Sequence, residues 1–375
     1  TIDSRLQKYA EEAVNNQMRI LQRRFYSVWG DEDPWEDSEG NKIDYPARAV
    51  KNIDSYKYLT GKYKNQPDSV EYYLNLKKKM KVFTWRGDRD TTFSTMDSIG
   101  YYGKILNTGM MTLDPFNGKI KVWIGGINNK FFKYDHVNQS KRQAGSTFKP
   151  FAYLAALESG MSPCDTFEDR PVSIAYQNKG KTEYWEPKNA DYTNSYRQMS
   201  LRWAMGKSVN TITAQVTEKV GWDNVVKWAK ECGIDSHLQS VPSVSLGSND
   251  VTVFEMVRAY GTFLNKGVRT DPILVDKITD QDDNVIEEFV AKTKRVLSEE
   301  MAWLMLYMFR GGMDEPGGTS QALWEWDLFK KNNQIGGKTG TSSDYVDAWY
   351  MGITKDLVTG VWIGCDERTA HFKNG

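Results

Sequence analysis

Strand-like segments stand far apart in this chain with helical ones between them, and that order dictates what it can fold into. Met110-Met111-Thr112-Leu113 reads as a strand, Asp114-Pro115-Phe116-Asn117-Gly118 as its turn, and Lys119 to Ile124 as the returning strand, closed by Gly125-Gly126. Near the other end, Ala348 to Ile353 and Val358 to Cys365 form a second strand pair, joined by Thr354-Lys355-Asp356-Leu357. Strand backbones need partners for their N–H and C=O groups. A sheet that gathers both pairs brings remote parts of the chain together and packs them on the helices encoded between.

The helices follow from spacing. Leu6, Ala10, Ala13, Val14, Gln17, Ile20 and Leu21, behind Asp3 or Ser4 as cap, predict one amphipathic helix from Ser4 to about Phe25. Further helices are predicted over Ser146 to Leu157, Arg197 to Val220 in two parts, Asp223 to Cys232, Thr252 to Phe263 and Glu299 to Phe309. Ile273 to Ile278 and Val285 to Val290 read as a hairpin. Between the first helix and the first strand the chain is polar. Gly30-Asp31-Glu32-Asp33-Pro34 and Asp37-Ser38-Glu39-Gly40-Asn41 are turn signals, and Leu74, Leu76, Met80 and Val82 are weak anchors. We expect a linker helix and accessory linker region over 1–103 and the main domain over 104–375.

Of the 375 residues 39% are hydrophobic, enough for a sizeable core and too many for a disordered chain. Lys plus Arg and Asp plus Glu number 49 each, so the formal charge is zero, which argues against a nucleic-acid binder with a broad basic field. No apolar run reaches the roughly 18 residues of a membrane-spanning helix. Thr1-Ile2-Asp3 does not read as a natural start, so the sequence is expected to come from a longer protein. Cys164, Cys232 and Cys365 show no metal-ligand spacing and read as three buried free thiols, with one bridge as the alternative. His136, His237 and His371 form no metal pattern either. Neither metal nor cofactor is expected, and any nucleophile has to find its base elsewhere than in a histidine.

Three short motifs carry chemistry. In Gly145-Ser146-Thr147-Phe148-Lys149-Pro150, a helix starting at Ser146 puts Lys149 about one turn on, on the same face. A lysine there can accept the serine proton if burial and neighbouring positive charge lower its pKa; a capping serine and a surface lysine would leave the same pattern. In Ser208-Val209-Asn210, Ser208 can relay a proton and Asn210 can orient Lys149, or the run is a loop cap. In Gly336-Gly337-Lys338-Thr339-Gly340-Thr341, an edge strand would present Lys338, Thr339 and Thr341 beside a groove, with Gly340 leaving room for a ligand. Such a set suits a terminal carboxylate; a Gly-rich turn before a strand is the bland alternative. A Walker phosphate loop is excluded, because Asn332 stands where its first glycine belongs.

The ordered set S-x-x-K, S-x-N and K-T-G marks β-lactamases and penicillin-binding proteins, and the chain resembles the transpeptidase domain of class A (bifunctional) penicillin-binding proteins. The resemblance extends to Arg142-Gln143-Ala144-Gly145-Ser146 with Phe148-Lys149-Pro150-Phe151, and to Trp185-Glu186-Pro187-Lys188-Asn189. It continues through Ser245-Leu246-Gly247-Ser248, Asp347-Ala348-Trp349-Tyr350 and Thr359-Gly360-Val361-Trp362-Ile363-Gly364. It is strong from about Tyr102 onward and thinner before. Val209 replaces the usual Asp, glycosyltransferase signatures are absent, the closing family helix is not found before Gly375, and Arg23 to Asp90 matches no element we can place.

What the resemblance implies is an α+β fold: a central five-stranded, mainly antiparallel sheet flanked by helices, plus an all-helical subdomain. It implies a D,D-transpeptidase in which Ser146 attacks the D-Ala-D-Ala terminus of a peptidoglycan stem peptide and Lys149 takes the proton. Ser208 then passes a proton to the departing D-alanine, Lys338 sets the field, and the N–H groups of Ser146 and Thr341 form the oxyanion hole. Thr339, Gly340 and Thr341 would hold the substrate and Asn210 its amide. Trp185 and Tyr345 would line the groove, or else pack in core or loops. Implied partners are stem peptides, β-lactam antibiotics, an upstream glycosyltransferase domain with a membrane anchor, and cell-wall assembly proteins, at the periplasmic face of the bacterial inner membrane. A β-lactamase, or a sensor that is acylated without turnover, is the rival on the same fold.

Overall fold

The computed structural model describes residues 1–331 and 333–373. Asn332, on which the phosphate-loop argument turned, and Asn374 and Gly375 at the tail lie outside them. The elements that position the site are, in chain order, α1 (Ser4–Trp29), β1 (Leu106–Asp114), β2 (Lys119–Ile124), α2 (Lys149–Glu158), α3 (Leu201–Lys207) and α4 (Asn210–Val220). They continue with α5 (Trp222–Cys232), α6 (Val253–Leu264), α7 (Glu299–Asp314), β3 (Gly336–Thr341), β4 (Asp347–Ile353) and β5 (Val358–Cys365).

The strands form one five-stranded sheet in the order β3-β4-β5-β1-β2, every neighbour antiparallel. The last strand lies beside the first, with Val358 opposite Leu113 and Cys365 opposite Leu106. Alternation divides the sheet's residues between two faces. On one, Val122 and Ile124 pack with Ala10 of α1. On the other, Met111, Leu113, Met351 and Val358 join Phe148, Phe151, Tyr260, Phe263 and Phe309 in the main core. Helix α2 runs through that core and is buried from Lys149 to Leu157. A helix apolar all round can be covered only by other elements on every side, and α3 to α7 supply that cover. The expected α+β architecture with a helical subdomain is what the chain forms.

Differences from the sequence reading have local causes. Helix α1 continues past Phe25 because Phe25 and Trp29 bury their rings against the carboxyl-terminal tail; Phe25 meets Phe372 edge-on at 5.8 Å, and Trp29 Nε1 donates to His371 O at 2.9 Å. The 273–290 hairpin shrinks to Lys277–Thr279 and Val285–Glu288, because Ile273 bonds instead to Gly118 in the β1–β2 turn and to Ile120 of β2. Residues 45–99 build short helices and a hairpin around a small cluster of Val50, Val70 and Leu74, while Leu76 stays exposed just past a helix end. Cys232 and Cys365 are buried free thiols, but Cys164 is exposed, in the loop between α2 and Thr166.

One buried ion pair ties the turn ahead of α2 to the sheet. Arg142 Nε donates to Asp347 Oδ1 at 2.6 Å, with both side chains almost fully buried. The same Asp347 carboxylate accepts from Trp362 Nε1 at 2.8 Å and from Ser342 Oγ at 2.9 Å. Arg142 donates further to Cys365 O at 3.0 Å and Asp366 O at 3.3 Å. Removing one partner of such a pair strands a buried charge. Asp347→Ala is expected to cost about 3–5 kcal/mol in denaturant unfolding; a loss below about 1 kcal/mol would show that the pair does not hold the turn to the sheet.

Candidate active site

The site is built where three distant segments touch. Residues 145–148 make one tight turn that leads into α2, with Ser146 on it, half-buried. Gly145 sits at φ +54°, a region that side chains disfavour, and a Cβ there would collide with Thr341 O. Gly340 has the same reason to lack a side chain: its Cβ would lie 2.8 Å from Ala144 O and from Thr147 Cγ2. The sequence suggested that Gly340 keeps the strand open for a ligand. In the structure its bare side also lets edge strand β3 close onto the serine turn. Lys338, two residues along, shares that face, and Thr339 and Thr341 fall on the other. Tyr260 OH donates to Thr147 O at 2.6 Å and pins the turn from α6.

Ser208 supplies the third wall. Helix α3 ends at Ser208 in a left-handed conformation, φ +64°, with Ser208 N bonded to Met205 O and Val209 N to Ala204 O. A serine held there costs about 1 kcal/mol or more. The kink turns both its carbonyl and its hydroxyl toward Lys149, whose Nζ donates to Ser208 O at 2.5 Å, Ser208 Oγ at 3.1 Å and Asn210 Oδ1 at 2.6 Å. Lys338 Nζ donates to the same Ser208 Oγ at 2.9 Å and to Thr339 O at 2.9 Å. With two lysines on its lone pairs, the hydroxyl keeps its own proton to donate.

Both lysines are buried, Lys149 at 0% and Lys338 at 1% exposure, and among the described residues no carboxylate pairs with either. Burial first, and the Lys338 charge second, hold Lys149 well below the ordinary lysine range. Burial alone pushes Lys338 down to about 7. A lysine that is neutral near neutral pH is a base. Among the described residues none hydrogen-bonds Ser146 Oγ, so Lys149 lies one turn from the serine but is directed at Ser208 and Asn210. Such bonds commonly tighten only with substrate in place.

Asn210 opens α4, and its amide is committed on both sides: Oδ1 to Lys149, Nδ2 to Lys188 O at 2.7 Å. Its backbone N–H donates to Asn189 Oδ1 at 2.9 Å. Thus the segment after Trp185 reaches the cluster through Lys188 and Asn189. Trp185 itself is half-buried at the end of the Lys181–Trp185 strand, and Tyr345 lies in the bend between β3 and β4. Sequence reasoning gave no role to Asp169, Asn189 or Tyr260, since nothing in their spacing points at Lys149 or the serine turn.

A family model described as "Penicillin binding protein transpeptidase domain" matches residues 108–365, and one described as "Penicillin-binding protein middle domain" matches residues 30–106. Penicillin-binding protein 1A of Aquifex aeolicus is 33% identical over 269 residues, 72% of this chain and 36% of that protein. Penicillin-binding protein 2D of Bacillus subtilis is 28% identical over 305 residues, 81% of this chain and 42% of that protein. The chain therefore spans less than half the length of these relatives. The crystal structure of penicillin-binding protein 1A from Haemophilus influenzae gives a TM-score of 0.71 at 23% identity, over 99% of this chain and 62% of that one, a likeness of fold.

A buried lysine with a lowered pKa carries a stability signature. Between its folded value near 7 and its unfolded value near 10.5, Lys338 binds more protons when unfolded, so its burial destabilises the fold, fully below the folded value and not at all above the unfolded one. Lys338→Met should raise stability at pH 7 by about 1 kcal/mol, the surplus left once the lost hydrogen bonds are counted. That gain should shrink as pH rises toward 10. Melting curves at pH 6, 7 and 9.5 test this; a gain that grows with pH would contradict a depressed Lys338.

Proposed function

The chain belongs to the penicillin-binding protein transpeptidase family, and from that premise we propose that Ser146 is the nucleophile of a peptidoglycan D,D-transpeptidase. The observation that carries this reading is the pair of buried lysines, Lys149 one turn from Ser146 and Lys338 on β3, converging on Ser208 Oγ. Ser146 Oγ adds to the carbonyl of the terminal D-Ala-D-Ala bond, and its proton goes to neutral Lys149 Nζ. The N–H groups of Ser146 and Thr341 hold the oxyanion; the contact between Gly145 and Thr341 supports that placement. The C–N bond then breaks, and the departing D-alanine amine takes a proton from Ser208, which recovers it from Lys149 while Lys338 sets the local field.

The acyl group stays on Ser146 until an amine of a second stem peptide attacks, gives up its proton by the same route and forms the cross-link. Water in its place yields carboxypeptidase activity. Lys338, Thr339, Gly340 and Thr341 bind the terminal carboxylate, Asn210 the acyl-side amide through the free N–H of Nδ2, and Trp185 flanks the groove. A β-lactam acylates the same serine, its ring opening in place of D-alanine loss. The protein acts at the periplasmic face of the bacterial inner membrane, with a glycosyltransferase domain, a membrane anchor and cell-wall assembly proteins as partners. Residues 104–375 form the catalytic domain and 1–103 its linker helix and accessory region.

Fluorescent penicillin labelling followed by mass mapping tests this. One adduct is expected, on Ser146. Ser146→Ala should abolish it, and Lys149→Ala should slow acylation by about 10²-fold or more. The rate should be appreciable at pH 7 and fall as pH drops, because protonation through the lowered Lys149 value removes the base. An adduct on another residue, or none on the folded protein, would overturn the assignment.

A further inference from the structure

Behind the lysine pair lies a buried carboxylate that the mechanism above does not use. Asp169 is 3% exposed and follows the Thr166–Glu168 strand. Its Oδ1 accepts from Asn189 Nδ2 at 2.8 Å, Asn194 Nδ2 at 3.1 Å and Thr211 Oγ1 at 2.7 Å. Its Oδ2 accepts from Ser195 N at 2.8 Å and Ser195 Oγ at 2.7 Å. Among the described residues no lysine, arginine or histidine pairs with it. We propose that Asp169 is a positioning residue that sets Lys149 through two side-chain amides, Asn189 and Asn210. This rests on the acyl-enzyme reading above and deepens it.

Donor and acceptor polarity links the carboxylate to the lysine. An amide can present either its oxygen or its NH2, and only its partners decide which. An ionised carboxylate accepts and never donates. Burial works against the charge of Asp169, but the bonds from Ser195, Thr211 and Asn189 outweigh it and hold the carboxyl below the usual range. Asn189 must therefore turn its NH2 toward Asp169, where it also reaches Thr193 O at 2.9 Å. Its oxygen is then left for the N–H groups of Asn210, at 2.9 Å, and Thr211, at 3.3 Å, which fixes the start of α4. Asn210 gives its NH2 to Lys188 O and so offers an oxygen to Lys149 Nζ. Asp169 acts by orientation and not by its field. The charged group that bears on Lys149 is Lys338.

The test is the pH dependence of Ser146 acylation by fluorescent penicillin, with only penicillin-titratable protein counted as active. Variants are Asp169→Asn, Asn189→Ala, Asn210→Ala and the double variant Asp169→Asn/Asn210→Ala. Asp169→Asn should lower the plateau rate about tenfold or more. It should also move the midpoint of the acid limb to lower pH, because the Lys149 ammonium loses an oriented acceptor. In the Asn210→Ala background it should add little, since both act on one path. A fold contribution alone would lower the titratable fraction and leave the midpoint in place, which would overturn the proposal. So would effects of Asp169→Asn and Asn210→Ala that multiply. If Asp169→Asn leaves no titratable protein, Asn189→Ala carries the same expected shift, and an unshifted midpoint there is equally fatal. Wild-type protein that takes no label on Ser146 sinks the functional reading as well; labelled Ser146 with unshifted midpoints sinks only the role of Asp169.

Discussion

Two ammonium groups buried against one serine hydroxyl, with no carboxylate among the described residues to balance them, are the constraint on which the rest of the site depends. Water would solvate both charges; the interior does not, and each group repels the other. The cheapest release is loss of a proton, and Lys149, which is fully buried and feels Lys338, is driven well below the ordinary range despite its hydrogen bonds to Ser208 and Asn210. A base is thus made from a residue that in water would be an acid. The arrangement destabilises the resting fold, and in the reaction proposed for Ser146 its reactivity comes from that cost.

Such a pair persists only if the surroundings leave it no escape, and the fold is arranged accordingly. Lys149 opens a helix buried as far as Leu157, so its side chain has only the interior to enter. Lys338 lies on the inner face of an edge strand held to the serine turn by glycines at 145 and 340. Ser208 is fixed by a left-handed turn between α3 and α4. Behind these stand the Arg142–Asp347 pair on the sheet side and the Asp169–Asn189 relay on the helical side. Three segments remote in sequence are each held by a different device, so slippage of one is not absorbed by the others.

How much of this was legible in the sequence depends on the range of the interaction. The strand pairs, the helices between them and the three motifs are local patterns, and they were readable because spacing along a strand or helix fixes which side chains share a face. Ser146 beside Lys149 is of that kind. The convergence of Lys149 and Lys338 on Ser208 is tertiary; the residues alone offered a Ser208 relay beside a loop cap, and family resemblance brought Lys338 to it. Asp169 was invisible because its partners are two amides, two hydroxyls and a backbone N–H spread over 189–211, a set with no spacing rule. Residues 26–90 read as a polar linker because their apolar residues are few; Val50, Val70 and Leu74 meet only when short helices fold back on one another. The contact of Gly340 with the serine turn was not legible, because a missing side chain looks the same in sequence whether it admits a ligand or a neighbouring backbone.

Everything turns on the protonation state of one amine, and it can be observed directly. Carbon NMR of protein labelled at lysine Cε, with Lys149 assigned through its loss in Lys149→Arg, reports each lysine's titration in the folded, unacylated state. The account requires Lys149 to titrate well below the ordinary lysine value near 10.5 and to move back toward it when Lys338 is replaced by Met. A Lys149 resonance that stays protonated to pH 10 would mean that the buried pair makes no base, and the chemistry assigned to Ser146 would need another source.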